Sequence, residues 1–357
     1  MKRHIFFLGT LCNGGAERVV SILASHMARQ GMDVEILTYY DKPVSYELDE
    51  RVKLTAVETM TGSGNKIKNL LAIRSYFKKH GKIVISFLAP LNIMAIAANL
   101  GNGVPIIVAD RNEPTRVPSN PVVRKVRDVL YGFATGVVVQ TRKNKAYFSQ
   151  KVQKKSRVIY NPIDLKENAG VALKTEKDKK IVTAGRLISQ KNQKMMIRAF
   201  ASVYQKHPDY KLVIYGEGPR RQELEALISE LDMEQSILLP GNISGIHEHL
   251  KSAEIFVLSS DYEGMPNALI EAMCLGLASI STKVSGATDL IQDHENGILT
   301  DVGSECQLEK AMLELIEDKE LAGKLAENAA KLNDDLEVSK IMQQWTDLIQ
   351  ELTWEKR

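Results

Sequence analysis

"IFVLSSDYEGMPNALIEAMCLG", residues 255–276, decides how the chain folds. "IFVLSS" is apolar and β-branched and reads as a buried strand. "NALIEAMCLG" has helical spacing and stops at Gly276, a usual residue just past a helix end. The turn "DYEGMP" joins them, so Glu263 stands on a loop at the carboxyl end of a strand. Glu271 stands about one turn into the following helix. Taken singly, each glutamate is an ordinary helix-end charge, and only company in the fold gives the pair a further meaning.

The same strand-loop-helix unit recurs along the chain. Downstream of residue 165 the strands are "KIVTAGR", "KLVIYGEG", "SILLPGN", "IFVLSS", "LASISTK" and "GILT". Upstream they are "HIFFLGT", "DVEILTYY", "KIVISFL", "PIIVADR" and "GVVVQT", with helical stretches between. Continuous apolar strands alternating with helices predict parallel sheets covered on both faces. The fold class is α/β, with two Rossmann-like doubly wound domains facing each other across a cleft. "VIYNPIDL" (158–165) breaks the pattern, and Asn161-Pro162 fixes a turn. The polar "ENAGVALKTEKDKK" after it reads as a linker. The expected division is residues 1–165, 166–340, and a terminal helix over 341–357.

Bulk composition agrees. A chain of 357 residues exceeds one ordinary core and suits two. No apolar run reaches the roughly 20 residues of a membrane span. "MKRHIFFLGTLC" has no small-residue cleavage site and reads as a first strand, not a secretory leader. Three scattered cysteines, Cys12, Cys274 and Cys306, fit neither a disulfide framework nor a metal site, and suit the cytoplasm. Charge is uneven. Residues 1–165 hold 25 basic and 12 acidic side chains, a net +13, and the remainder holds 22 and 32, a net −10. A basic first half suits an anionic membrane face, a phosphate-bearing acceptor or nucleic acid. The absence of a recognition motif and the acidic second half argue against nucleic acid.

Glycine-rich turns after strands place amides and helix dipoles against anions. "NGGAER" puts Gly14 and Gly15 at the mouth of the first helix. It lacks G-x-G-x-x-G, which disfavours a nicotinamide oxidoreductase. "AGRLISQKN" places Arg186 and Lys191 at the end of the second domain's first strand, where two cations suit a diphosphate. "YGEGP" adds Gly216. The helix opened by Gly264, Met265 and Pro266 offers amides through Asn267, Ala268 and Leu269 to a phosphate. Glu263 and Glu271 flank that anion site and can accept hydrogen bonds from hydroxyls of a sugar and a ribose.

The residues E-G-M-P-N-A-L-I-E resemble the E-x7-E motif of the retaining GT-B enzymes of glycosyltransferase family 4. "NGGAER", "VIYNPID", "GRLISQKN" and "GEGP" occur in that family's order, and the resemblance spans the whole chain. It implies that Glu271 binds ribose and that Glu263 contacts the donor sugar without acting as nucleophile. It implies that Arg186 and Lys191 neutralise the departing diphosphate in place of a metal, so that no cofactor is needed. It further implies that Gly14 and Gly15 approach that diphosphate, that Asn242 within "LPGNI" lines the base pocket, and that the terminal helix returns to the first domain. Many members carry a first-domain histidine where this chain has "VADRNEP", so Asp110 or Arg111 is expected at sugar or acceptor phosphate. The implied reaction moves a hexose or N-acetylhexosamine from a UDP-sugar to a polyprenyl-diphosphate-linked glycan in bacterial polysaccharide synthesis. N-acetylgalactosamine is expected first, then N-acetylglucosamine or galactose. The implied location is cytoplasmic, peripheral to the anionic inner leaflet. Rival readings are a sugar-nucleotide epimerase or hydrolase of the same fold, and an inactive nucleotide-binding scaffold.

Overall fold

The computed structural model describes residues 2–12, 14–62, 64–163 and 177–354. Residues 164–176, which include most of the expected linker (167–180), lie outside the described residues. The chain forms two compact units, Met1–Pro162 with Val338–Arg357, and Ile163–Glu337.

The first unit has seven strands: β1 (Arg3–Leu8), β2 (Val34–Thr38), β3 (Lys53–Ala56), β4 (Gly81–Phe87), β5 (Ile106–Asp110), β6 (Gly136–Val139) and β7 (Ser156–Val158). Their order is β3-β2-β1-β4-β5-β6-β7, parallel throughout. The central strands are apolar on both faces because helices cover both. Ile5, Phe7, Val84 and Val108 are fully buried on one side with Ile73 and Phe77 of the helix Lys66–His80. The sequence signal missed β3 and β7. β3 is a half-exposed edge strand with no apolar run, and β7 is only three residues long.

The terminal helix Val338–Trp354 completes this unit. Trp345 is buried and stacks on Phe87 with ring centroids 5.9 Å apart. Ile341, Met342, Leu348 and Ile349 are buried beside it, at helical spacing.

The second unit has six strands: β8 (Asp178–Ala184), β9 (Lys211–Tyr215), β10 (Ile237–Gly241), β11 (Ala253–Leu258), β12 (Ala278–Thr282) and β13 (Ile298–Thr300). Their order is β10-β9-β8-β11-β12-β13, again parallel. Phe200, Leu212, Ile255 and Met312 lie at the centre of its core. The chain runs outward from β8 through β9 to β10, then returns to lay β11 on β8's other side. The loops after β8 and β11 therefore diverge. A doubly wound sheet binds ligands at such a reversal, outside the carboxyl ends of its strands.

Candidate active site

The two loops at the β8/β11 reversal are tied to each other. After β8 the chain makes a one-turn 3-10 helix, Ser189–Lys191, and Asn192 takes the left-handed conformation with φ 46°. That bend presents backbone to the neighbouring loop. Asp261 N donates to Gln190 O (2.8 Å), and Ser259 Oγ donates to Lys191 O (2.8 Å). Asn192 Nδ2 donates to Asp261 Oδ1 (2.8 Å).

Glu263 is buried inside this frame. Lys191 Nζ donates to its Oε1 at 2.7 Å, and Ser260 Oγ donates to the same oxygen at 2.7 Å. Gln190 Nε2 reaches Oε2 at 3.2 Å and the Tyr262 carbonyl at 2.9 Å. Thr282 of β12 fixes Ser260 by donating to its carbonyl at 2.6 Å. A buried carboxylate needs such donors to offset its desolvation. Lys191 and Glu263 thus form one ion pair here, where the sequence reading had given them separate ligand groups.

Beyond Glu263 the helix Asn267–Cys274 begins at Pro266, and no side chain caps it. Uncapped amides at a helix start suit an anion. The amide of Leu269 is spent on the Pro266 carbonyl at 3.1 Å, and its side chain is in the core. This corrects the expectation for Leu269 and leaves the anion surface to Gly264–Ala268. Gly286 permits this turn to exist, since a Cβ there would lie 2.5 Å from Gly264 O and 2.4 Å from Pro266 Cδ.

Arg186, Gly216 and Asn242 come together. They line a cavity of about 280 Å³ at the carboxyl ends of β8, β9 and β10, with Tyr215, Ile243 and Ile246. The Arg186 side chain is exposed there. Gly216 has φ 132°, and a Cβ on it would lie 2.0 Å from Gly185 O, so it exists to let two loops touch. Glu271 is half-buried on its helix. His247, next to the cavity-lining Ile246, places Nε2 3.6 Å from Glu271 Oε2.

The first-unit residues are placed differently. Gly14 N donates to Tyr46 Oη (2.9 Å), which in turn donates to Gly14 O (2.8 Å). The space left by its missing side chain holds the Glu17 carboxyl, whose pKa burial pushes up. Gly15 is exposed at the start of the helix Gly15–Arg29. Asp110 and Arg111, expected at sugar or acceptor phosphate, are both buried. Asp110 accepts from Tyr131 Oη (3.0 Å) beside Arg127 (3.8 Å), and burial pushes its carboxyl up. Arg111 Nη1 donates to Asn161 Oδ1 (2.6 Å). Its guanidinium lies 5.0 Å from the Phe87 ring and 5.8 Å from that of Trp345. Burial lowers its pKa to about 9.

A family model described as Glycosyltransferase Family 4 matches residues 13–167, and one described as Glycosyl transferases group 1 matches residues 165–332. A Campylobacter jejuni protein is 30% identical over 99% of this chain and 99% of its own. Its name is GalNAc-α-(1→4)-GalNAc-α-(1→3)-diNAcBac-PP-undecaprenol α-1,4-N-acetyl-D-galactosaminyltransferase. The chain belongs to glycosyltransferase family 4. A second C. jejuni relative of this transferase is 31% identical over 93% of this chain and 94% of its own. It is an N-acetylgalactosamine-N,N'-diacetylbacillosaminyl-diphospho-undecaprenol 4-α-N-acetylgalactosaminyltransferase. Among solved structures, Anabaena HepE in complex with UDP superposes with a TM-score of 0.83 at 19% identity, covering 98% of this chain and 100% of that one. The transferase has the GT-B fold class, two Rossmann-like units with parallel sheets.

Four residues around the candidate site escaped the sequence reading. Gln190 and Ser260 hold Glu263, His247 faces Glu271, and Gly286 admits the Gly264–Pro266 turn. Gln190 and Ser260 had a usable signal, each lying within three residues of Lys191 or Glu263. His247 and Gly286 had none, because the fold alone brings them in.

Proposed function

We propose that this transferase moves N-acetylgalactosamine from UDP-GalNAc to a glycan carried on a polyprenyl diphosphate, with retention of the anomeric configuration. UDP-GlcNAc and UDP-Gal rank next as donors. The observation that carries the reading is the 30% identity, over nearly the full length of both chains, to a transferase named for that sugar and that acceptor type. The paired Lys191 and Glu263 give it a mechanism. Glu263 takes the donor sugar's hydroxyls while Lys191 and Arg186 take the diphosphate. Because Lys191 and Glu263 already touch, sugar and phosphate are recognised by one unit. An ammonium has three protons to place, and the Glu263 contact uses one. The amides of Gly264–Ala268 add fixed dipoles. Charge on the departing diphosphate is the main demand of the transition state, and pre-oriented donors meet it without reorganising. The acceptor oxygen attacks the face that the diphosphate leaves and passes its proton to the departing oxygen, so no protein nucleophile takes part.

In the same reading Asn242 and the 280 Å³ cavity hold the base, Glu271 holds the ribose, and Gly15 approaches the diphosphate from the first unit. Arg186 and Lys191 stand in for a metal, so transfer is expected to survive EDTA. The enzyme works at the cytoplasmic face of the membrane, with its basic first unit toward anionic lipid. No helix among the described residues is long and apolar enough to cross a bilayer.

Calorimetry with UDP, GDP, ADP and CMP tests the donor class. UDP is expected to bind, and Glu271→Ala to weaken it by about 1–3 kcal/mol, the worth of hydrogen bonds to a charged group. Preference for GDP would replace the donor. UDP release that ignores a polyprenyl-diphosphate glycan would replace transfer by hydrolysis.

A further inference from the structure

The short helix Ile246–Lys251 follows β10 and packs against the helix that carries Glu271. It opens at Gly245, which takes the left-handed conformation with φ 64°. Leu250 is fully buried and pins the helix to the core. Its other residues meet different parts of the site. Ile246 lines the cavity of about 280 Å³. The His249 ring lies 5.8 Å from that of Tyr215, which lines the same cavity. Between them His247 places Nε2 3.6 Å from Glu271 Oε2.

The pair is largely shielded from water, with the His247 side chain 17% exposed and that of Glu271 14%. A carboxylate so placed needs donors to offset its lost hydration. Its charge reaches its neighbours, since burial first and Glu271 second push the Cys274 thiol up to about 12. An ionised carboxylate only accepts, so the imidazole nitrogen that faces it carries a proton. A donor on a pinned helix fixes the orientation of the carboxylate, as outer donors fix the groups that hold a metal. At 3.6 Å the contact is longer than a hydrogen bond. Contacts of this kind are often long in a ligand-free site and tighten when the ligand is bound. We infer that His247 is a positioning residue, which aims the Glu271 carboxylate at the ribose hydroxyls and closes onto it when UDP binds. The inference rests on the proposed ribose role of Glu271 and adds the group that sets its orientation.

Calorimetry with UDP and with dideoxy-UDP, which lacks both ribose hydroxyls, tests it. His247→Ala is expected to weaken UDP about tenfold, the worth of one hydrogen bond to a charged group. It should leave the binding of dideoxy-UDP as in the wild type. His247→Phe keeps a ring without the N–H and should lose affinity as His247→Ala does. His247→Gln restores a donor and should recover most of the loss, so the two larger variants carry the comparison if the truncated one fails to fold. In a Glu271→Ala background His247→Ala should change nothing. Equal weakening of both nucleotides overturns the inference, because the histidine would then support only the packing of the site. Unchanged UDP affinity in His247→Ala, or full affinity in His247→Phe, overturns it too. If Glu271→Ala weakens UDP and His247→Ala does not, the inference alone fails. If Glu271→Ala leaves UDP binding unchanged, the ribose role of Glu271 fails and takes the inference with it.

Discussion

Lys191 is the side chain on which the site's charge balance turns. It contacts a buried carboxylate that keeps only Ser260 and Gln190 without it. Lys191→Met is therefore expected to lower kcat by about 10²–10³, the usual cost of removing one pre-oriented donor from a developing anion. It should also lower stability, because removing one member of a buried pair strands the other. Adding Glu263→Gln should recover stability but not turnover, and a double-mutant cycle on unfolding should give a coupling of about 1 kcal/mol or more. An additive cycle would show that the pair is incidental. Gln190→Ala tests positioning alone. Its kcat is expected to fall about tenfold with UDP affinity unchanged, since hydrogen-bonding second contacts orient the carboxylate without binding nucleotide. The placement of Arg186, Lys191 and Glu263 on loops at strand ends was legible because the apolar strand pattern marks where each strand stops. The direct Lys191–Glu263 contact was not, since it depends on how two loops 68 or more residues apart dock.

Strands carried their own signal wherever both faces are buried. Edge strands did not, and β3 is held in place by something outside its own pattern. Glu35 of β2 is fully buried and accepts from Thr55 Oγ1 of β3 (2.6 Å), Tyr76 Oη (2.5 Å) and Arg3 Nη1 of β1 (3.2 Å). Burial pushes its carboxyl up, but the bonds from Thr55 and Tyr76 and the Lys53 charge outweigh that, and the net pKa lies below 4.5. The unfolded chain therefore takes up this proton first as the pH falls. The stabilisation is complete above pH 4.5 and fades as the pH drops through the lowered native value. Glu35→Gln is expected to cost about 2 kcal/mol at neutral pH. Its urea midpoint should fall less steeply below pH 4.5 than that of the wild type. A parallel fall would assign the acid sensitivity elsewhere. Gly286→Ala probes the other unit at the same scale. Its added methyl must displace the Gly264–Pro266 turn, so a loss of about 1–3 kcal/mol from overpacking and weaker UDP binding are expected together. The helix Pro121–Tyr131 shows the limit of charge counting. Its sequence reads as basic, yet burial of Arg127 turns Val122, Val126 and Val129 outward, which only the packing reveals.

The chain has two compact units, each built on its own parallel sheet. The helix Val338–Trp354 ends the chain, beyond the whole second unit, yet its buried face belongs to the first. The sequence implied that return only through family resemblance, since an amphipathic pattern does not name its partner. Two compact units predict two thermal transitions, and two perturbations can assign them. In the proposed reading nucleotide binds the second unit, so UDP at a hundredfold excess over its Kd should stabilise that transition by about 2.7 kcal/mol, or several degrees for a unit of this size. Trp345→Ala empties a fully buried indole site stacked on Phe87 and beside Arg111. Its expected cost is about 3–5 kcal/mol. That loss should appear in the transition that UDP leaves alone, although residue 345 follows the nucleotide unit in sequence. Calorimetric scans of both proteins, with and without UDP, decide it. If Trp345→Ala lowers the UDP-sensitive transition, or if one transition responds to both, the two units do not melt independently.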